Sequence, residues 1–305
     1  MCLRLGGYII SSRVPARIAI FPAVVLLALG SGCSSRQEDA PPVAALSVAL
    51  NRTAAAAGSP LEMTYRFTVA ADAPPLADGY VVFVHFMDEA GGRLWSDDHQ
   101  PPTPTNRWKA GETIEYTRTI FVPKFSYTGR TDVQVGLYVP GSGERLPLAA
   151  EDAGMRAYRV ARFEVTSETP GVFVVFRDGW HDTEVSEDGA LEWQWSRREG
   201  TLSFRNPKQD AELLLLVDQP VQGLAQPQQV EVRLGSTIVD TFTVPVGVSE
   251  LRRIALPATL LGGSETVEMT LAVDRTFVPA DVPSLRSTDA RELGIRVFRA
   301  YVEPK

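Results

Sequence analysis

The chain has 305 residues, 44% of them hydrophobic, with 30 basic and 37 acidic side chains and a formal net charge of −7. So acidic a balance makes nucleic acid a poor partner, because phosphate backbones demand basic patches. It also disfavours adhesion of the folded part to anionic lipid. With cysteines at positions 2 and 33 only, the chain keeps no disulfide once a leader carrying Cys2 is removed, and a free reactive thiol is absent.

The N-terminal segment carries Arg4, Arg13 and Arg17, then an apolar run from Ile18 to Leu29, then small residues up to Cys33. That is the order of a secretory signal, and the run, interrupted by Pro22, is too short to span a bilayer as a helix. Leu29-Gly30-Ser31-Gly32-Cys33 resembles the lipobox of bacterial lipoproteins. That family usually has Leu three residues before the cysteine, where this chain has Gly30. The resemblance implies a lipoprotein signal peptide over 1–32, lipidation of Cys33, and a protein exported and held to the membrane through a lipid anchor. Loss of 1–32 removes three arginines and no acid, so the exported chain is three charges more acidic. Residues 33–42 read as a flexible tether, polar and ending in Pro41-Pro42. Ser34 stands where many lipoproteins kept in the inner membrane carry Asp, so the same resemblance favours the outer membrane.

Strand signals dominate thereafter. Leu61, Met63, Tyr65, Phe67 and Val69 alternate with polar residues, and Tyr80–Met87 is apolar on both faces. Ile114–Ile120, Val133–Val139 and Tyr158–Val165 repeat the alternation, and glycine-rich turns at Ala90–Gly92 and Pro140–Gly143 separate them. These predict an immunoglobulin-like β-sandwich over 43–166. Ala54–Ala57 is too short to nucleate a helix. A polar break, Thr166–Gly171, places a boundary before a second all-β domain over 171–305. Nine short strands are predicted there: Val172–Phe176, Ala190–Trp195, Thr201–Phe204, Ala211–Val217, Gln229–Leu234, Ile238–Val244, Glu250–Leu256, Thr266–Val273 and Gly294–Val302. Without a convincing helix they suggest a jelly-roll-like sandwich. The predicted fold class is therefore all-β, in two β-sandwich domains.

Catalytic chemistry is poorly represented. His85, His99 and His181 are widely separated and hold no metal-ligand spacing; no nucleophile elbow, His-Glu-x-x-His or phosphate-cradling loop is present. His85, inside an apolar strand, reads as a hydrogen-bonded core histidine. Asp97-Asp98-His99 offers clustered oxygens that could hold calcium, against the plainer reading of a solvated hairpin. Acidic pairs such as Glu151-Asp152 and Glu187-Asp188 lie in turn contexts and lack a partner for acid–base work. No cofactor is implied.

The second domain holds the better site signal. Trp193 and Trp195 are two apart and share one strand face. The pair can form a platform on which sugar rings stack, or it can fill a sandwich core. Trp180 and His181 follow Gly179 and are expected to be partly exposed. From Phe173 onward, Gly179-Trp180, Trp193-x-Trp195, Ala211–Leu216, Thr276–Ala280 and Ser287–Ile295 resemble a bacterial β-sandwich module appended to polysaccharide glycosyltransferases and other envelope proteins. The first domain is similar to a module recurring in such proteins, through Val82–Phe86, Asp98-His99, Trp108–Glu112, Val135–Tyr138 and Gly143–Pro147. No glycosyltransferase domain accompanies them here. The resemblance implies a non-enzymatic envelope protein that binds or organises extracellular polysaccharide. Trp180, His181, Trp193 and Trp195 would stack, with Asp289, Arg291 and Glu292 as polar partners. The plainer role for Asp289, Arg291 and Glu292 is to brace the loop entering the last strand, where Gly294 lets the backbone approach closely. The alternative is a structural lipoprotein presenting edge strands or loops to a protein partner; buried indoles would favour it.

Overall fold

A computed structural model of the chain describes residues 40–305, apart from 78, 125–126, 168–171, 188–190 and 222. The signal segment 1–32, the lipidation candidate Cys33 and the tether up to residue 39 lie outside the described residues, as does most of the break at 166–171. The described chain is all-β.

The first sandwich contains β1 (Ala44–Leu50), β2 (Ala54–Ala56), β3 (Pro60–Val69), β4 (Val81–Met87), β5 (Arg93–Ser96), β6 (Thr113–Phe121), β7 (Gly129–Tyr138), β8 (Leu148–Ala149), β9 (Glu151–Asp152) and β10 (Tyr158–Thr166). One sheet runs β6-β3-β1-β8; the other runs β2-β10-β7-β4-β5, with β9 added to β10. The alternation in β3 explains its place. Leu61, Met63, Tyr65 and Phe67 are fully buried, whereas Arg66 and Thr68 are exposed, so one face makes core and the other stays wet. β2 is the alanine run, paired parallel to β10 at the sheet edge. This two-sheet arrangement is immunoglobulin-like.

The histidines depart from expectation. His85 is half-buried on the outer face of β4, its ring 4.9 Å from Phe83 and its Nε2 3.5 Å from Arg93. The core histidine is His99, 8% exposed. Its Nδ1 lies 2.9 Å from the Asp97 carbonyl and its Nε2 2.9 Å from the Tyr116 hydroxyl. A carbonyl can only accept, so Nδ1 donates to it and Nε2 accepts from Tyr116. Burial pushes the pKa of His99 down, with Arg118 adding to the effect and Asp97 and Asp98 opposing it; burial also lowers His85. Depressed folded-state values mean that the unfolded chain binds protons first. The stability these rings contribute is complete above about pH 6.5 and is lost as pH falls through their lower folded values. Melting temperature is expected to fall on acidification from pH 7 to 5, and less steeply in His99→Asn; parallel slopes in thermal scans of the two proteins would overturn this.

The second sandwich contains β11 (Val172–Phe176), β12 (Glu184–Val185), β13 (Glu192–Trp195), β14 (Glu199–Arg205), β15 (Ala211–Asp218), β16 (Gln228–Leu234), β17 (Thr237–Val244), β18 (Glu250–Leu256), β19 (Thr266–Val273) and β20 (Arg296–Pro304). β12 and a single helical turn at Ala258–Leu261 are elements that the sequence pattern does not predict. One sheet runs β13-β20-β15-β18 and the other β14-β19-β16-β17. With β13–β20 taken as first to eighth, the orders are one-eight-three-six and two-seven-four-five, the arrangement of a jelly roll. β11 switches sheets, pairing first with β20 and then with β14. Leu213, Leu215 and Val217 of β15 face the core, with Val230, Val232, Met269 and Leu271 among their partners in the cluster.

The outer face of β15 is also covered, since Leu214 is fully buried. Its register neighbour Arg253 bonds Glu62 and, at 2.8 Å, the Thr119 hydroxyl. Arg52 likewise pairs with Glu303. The wet face of β3 and β6 therefore meets the outer face of the β20-β15-β18 sheet, and Pro41–Lys305 form one compact unit.

Candidate functional site

His181, Trp193, Trp195, Asp289, Arg291 and Glu292 of the second sandwich converge on one region, whereas Trp180 packs toward the core, and most of their bonding capacity is already engaged. Gly179, at φ 82°, turns the chain into Trp180, whose Nε1 donates to the Thr201 carbonyl at 2.9 Å and whose ring stands edge-on to Phe176. His181 leaves in the other direction and bonds the Glu292 carbonyl through Nε2 at 2.7 Å. Arg291 grips Asp289 at 2.7 Å and Glu184 at 2.7 Å. The Arg291 hydrogen bond is the main force holding the Asp289 carboxyl below the usual range, and its two acidic partners raise Arg291. Glu184 also accepts the indole N–H of Trp193 at 3.1 Å, and Glu292 accepts from Thr276 at 2.7 Å. Glu184 thus joins the indole to the ion pair. Sequence reasoning missed it, because a lone glutamate two residues beyond Asp182 carries no pattern.

Trp193 and Trp195 do share a face, but not a free one. Trp195 is 6% exposed and stands edge-on to Phe277 at 5.9 Å. The Arg296 guanidinium lies 5.3 and 5.4 Å from the two indole rings and 5.0 Å from Phe298. Asp218 fixes it there with two bonds of 2.7 and 2.6 Å. The expectation of a two-indole stacking platform is therefore corrected: a cation already occupies it, held by ring quadrupoles and a bidentate carboxylate. Trp195 is packing, and Trp193 is half-buried.

Asp97 and Asp98, the weaker calcium candidates, are likewise engaged by protein groups. Asp97 accepts two bonds of 3.0 Å from Arg118, and Asp98 accepts from the Val84 backbone N–H at 3.1 Å. Among the described residues no group of three His, Cys, Asp or Glu side chains is placed to hold a metal.

What the sequence does not reveal is a cleft of about 1070 Å³ between the two sandwiches. The first sandwich contributes Trp95 from β5 and Phe121 from β6; the second contributes Leu191, Leu251 and Phe298. Trp95 stacks on Phe86 at 4.1 Å, nearly parallel, and meets Phe163 edge-on, so its ring is fixed against the core of the first sandwich. The charged lining is Arg93, Asp97, Arg118, Glu192 and Arg299. Arg299 bonds the Phe298 carbonyl at 2.7 Å and approaches the Glu192 carbonyl at 3.4 Å. Burial lowers its pKa, partly offset by Glu192. Among the described residues no carboxylate forms an ion pair with Arg299 or Arg93.

No family model and no curated protein matches this chain, so the resemblance to glycosyltransferase-appended modules gains no support. Solved structures resemble it only distantly. A carbohydrate-binding module of family 6 from the Zobellia galactanivorans laminarinase LamC is 10% identical, covering 43% of this chain and 99% of its own, with a TM-score of 0.24. The tandem family 22 carbohydrate-binding modules of Paenibacillus barcinonensis Xyn10C are 11% identical, covering 82% and 79%, with a TM-score of 0.27. The DNA glycosylase AlkC of Pseudomonas fluorescens is 15% identical over 41% of this chain and 30% of its own, with a TM-score of 0.25; this chain thus spans under a third of that protein. Scores of this size carry no functional argument.

Proposed function

We propose that this chain is an exported, lipid-anchored binding protein that holds a saccharide chain in the cleft between its two sandwiches without chemical turnover. The composition of the cleft carries the reading. Flat rings at Trp95, Phe121 and Phe298 line it together with the guanidinium groups of Arg93 and Arg299, and Arg296, which packs on Phe298, is not among its lining residues. A pyranose presents the complementary surfaces, an apolar C–H face for a ring and a rim of hydroxyls for donors. The one carboxylate that β5 brings near, Asp97, has its oxygens taken by Arg118. The N-terminal order ending in Cys33 supports export and anchoring; fatty-acid labelling retained by the wild type and lost in Cys33→Ser tests that part.

For the cleft, the acylated full-length protein in detergent is titrated calorimetrically with a panel of neutral and acidic polysaccharides. Phe298→Ala, shown to be folded, is expected to weaken saturable binding by about fivefold, since one ring contributes roughly 1 kcal/mol. Binding by no polysaccharide, or binding indifferent to Phe298, would sink the reading. A protein partner is the second reading, favoured by the burial of Trp195 and by the exposed apolar side chains of Phe173, Val185 and Leu191. Cross-linking through a photoreactive group at Leu191 in the intact envelope would then give a defined adduct.

A further inference from the structure

We infer that the cleft selects acidic glycans, with Arg299 and Arg93 pairing the carboxylates of uronate residues. This rests on the saccharide reading and gives it a ligand class. Three observations converge on it. First, Arg299 spends one nitrogen, Nη1, on the Phe298 and Glu192 carbonyls. Its Nε and Nη2 bond no acceptor among the described residues and are not sealed away from solvent, so a residue that lines the cleft keeps two donors in fork geometry unspent. Second, its counter-charge is incomplete among the described residues. Glu192 attracts it without an ion pair, while Asp97, the other carboxylate of the cleft, is bound by Arg118. Arg93, on the opposite wall, has a 3.5 Å contact with His85 in place of an acid. Third, this local surplus of guanidinium stands in a chain whose formal charge is −7. Elsewhere on both sandwiches arginines meet acids directly, as at Arg159–Asp132, Arg252–Asp240 and Arg296–Asp218.

A guanidinium partly desolvated and, among the described residues, without an acid partner favours an incoming planar anion, and its fork matches a carboxylate with two parallel bonds. A uronate supplies that carboxylate on the same ring whose C–H face can lie on Phe298 or Trp95. An acidic peptide has the charge without the stacking face, and a neutral glycan has the face without the charge. The favoured ligand is therefore a polymer with both.

The test titrates full-length protein with polygalacturonate, with the same polymer after carboxyl reduction, and with poly-glutamate, at 50 and 300 mM salt. The wild type is expected to bind polygalacturonate in a salt-sensitive manner and to lose roughly 10- to 100-fold in affinity for the reduced polymer, as for a charge-assisted hydrogen bond. Arg299→Gln should lose about the same factor on polygalacturonate and nothing on the reduced polymer, with Arg299→Lys in between. Should Arg299→Gln fail to fold, Arg93→Gln, on an exposed edge strand, carries the test with an expected loss of about threefold. Equal affinity for the native and reduced polymers overturns acidic selectivity and leaves the saccharide reading standing. Binding of poly-glutamate as tight as that of polygalacturonate overturns the glycan assignment. Absence of binding to every glycan overturns both readings.

Discussion

Gly179→Ala is expected to destabilise the second sandwich by about 2–5 kcal/mol, the largest effect of any single methyl group added to this region. Two costs combine. The residue sits at φ 82°, where an L side chain costs about 1–2 kcal/mol. A Cβ there would also lie 2.0 Å from the Glu199 carbonyl oxygen. The obstacle is backbone, so no rotamer change relieves it; β14 itself must shift, and overpacking of this kind costs about 1–3 kcal/mol more. Gly294→Ala separates the two terms. Its Cβ would lie 2.4 Å from the Arg197 carbonyl oxygen, but its φ is not positive, so only the packing cost applies. Urea unfolding should rank wild type above Gly294→Ala, and that above Gly179→Ala. A loss under about 1 kcal/mol in Gly179→Ala would mean that the turn has slack.

Trp195→Ala carries the second large effect, about 3–5 kcal/mol, as expected for truncation of a large buried aromatic. The loss has two sources: a void against Phe277, and removal of one of the rings over which Arg296 and its partner Asp218 are set. Trp193→Ala, half-buried and hydrogen-bonded at its N–H to Glu184, should cost about half as much. Equilibrium unfolding followed by far-ultraviolet circular dichroism measures both. If Trp195→Ala folds as stably as the wild type yet abolishes polysaccharide binding, the indole is a ligand contact and its packing role is wrong.

How much of this is legible in the sequence depends on what each pattern encodes. Period two in β3 specifies one wet and one dry face, and the structure has both. The same periodicity assigns Trp193 and Trp195 to a common face. It cannot say what lies on that face, because the occupant, Arg296, is remote in sequence and is aimed by Asp218 from a third strand. The histidines fail on a related point. An apolar strand such as β4 reads as buried on both sides, yet His85 stands where the outer face meets solvent, and the burial of His99 depends on Tyr116 from the opposite sheet. β1 escapes the pattern, since Ala44–Leu50 is rich in alanine, with only a weak alternation of Leu46 and Val48 against Ser47 and Ala49. The cleft is wholly illegible. Its walls come from β5, β6, the hairpin before β13, β18 and β20, and only the docking of one sandwich on the other brings them together.

The place of β20 has a kinetic consequence. It is the final strand of its sandwich, yet it lies between β13 and β15 and also holds the start of β11. Three earlier strands wait for it, with one edge of β15 unpaired until it arrives. Pairings separated by this much chain are slow to close and leave apolar edges open to other molecules meanwhile. β20 also carries Arg296, Phe298 and Arg299, so closure of the sheet and construction of the cleft wall are one event. A molecule trapped short of it has neither a finished core nor a finished cleft wall.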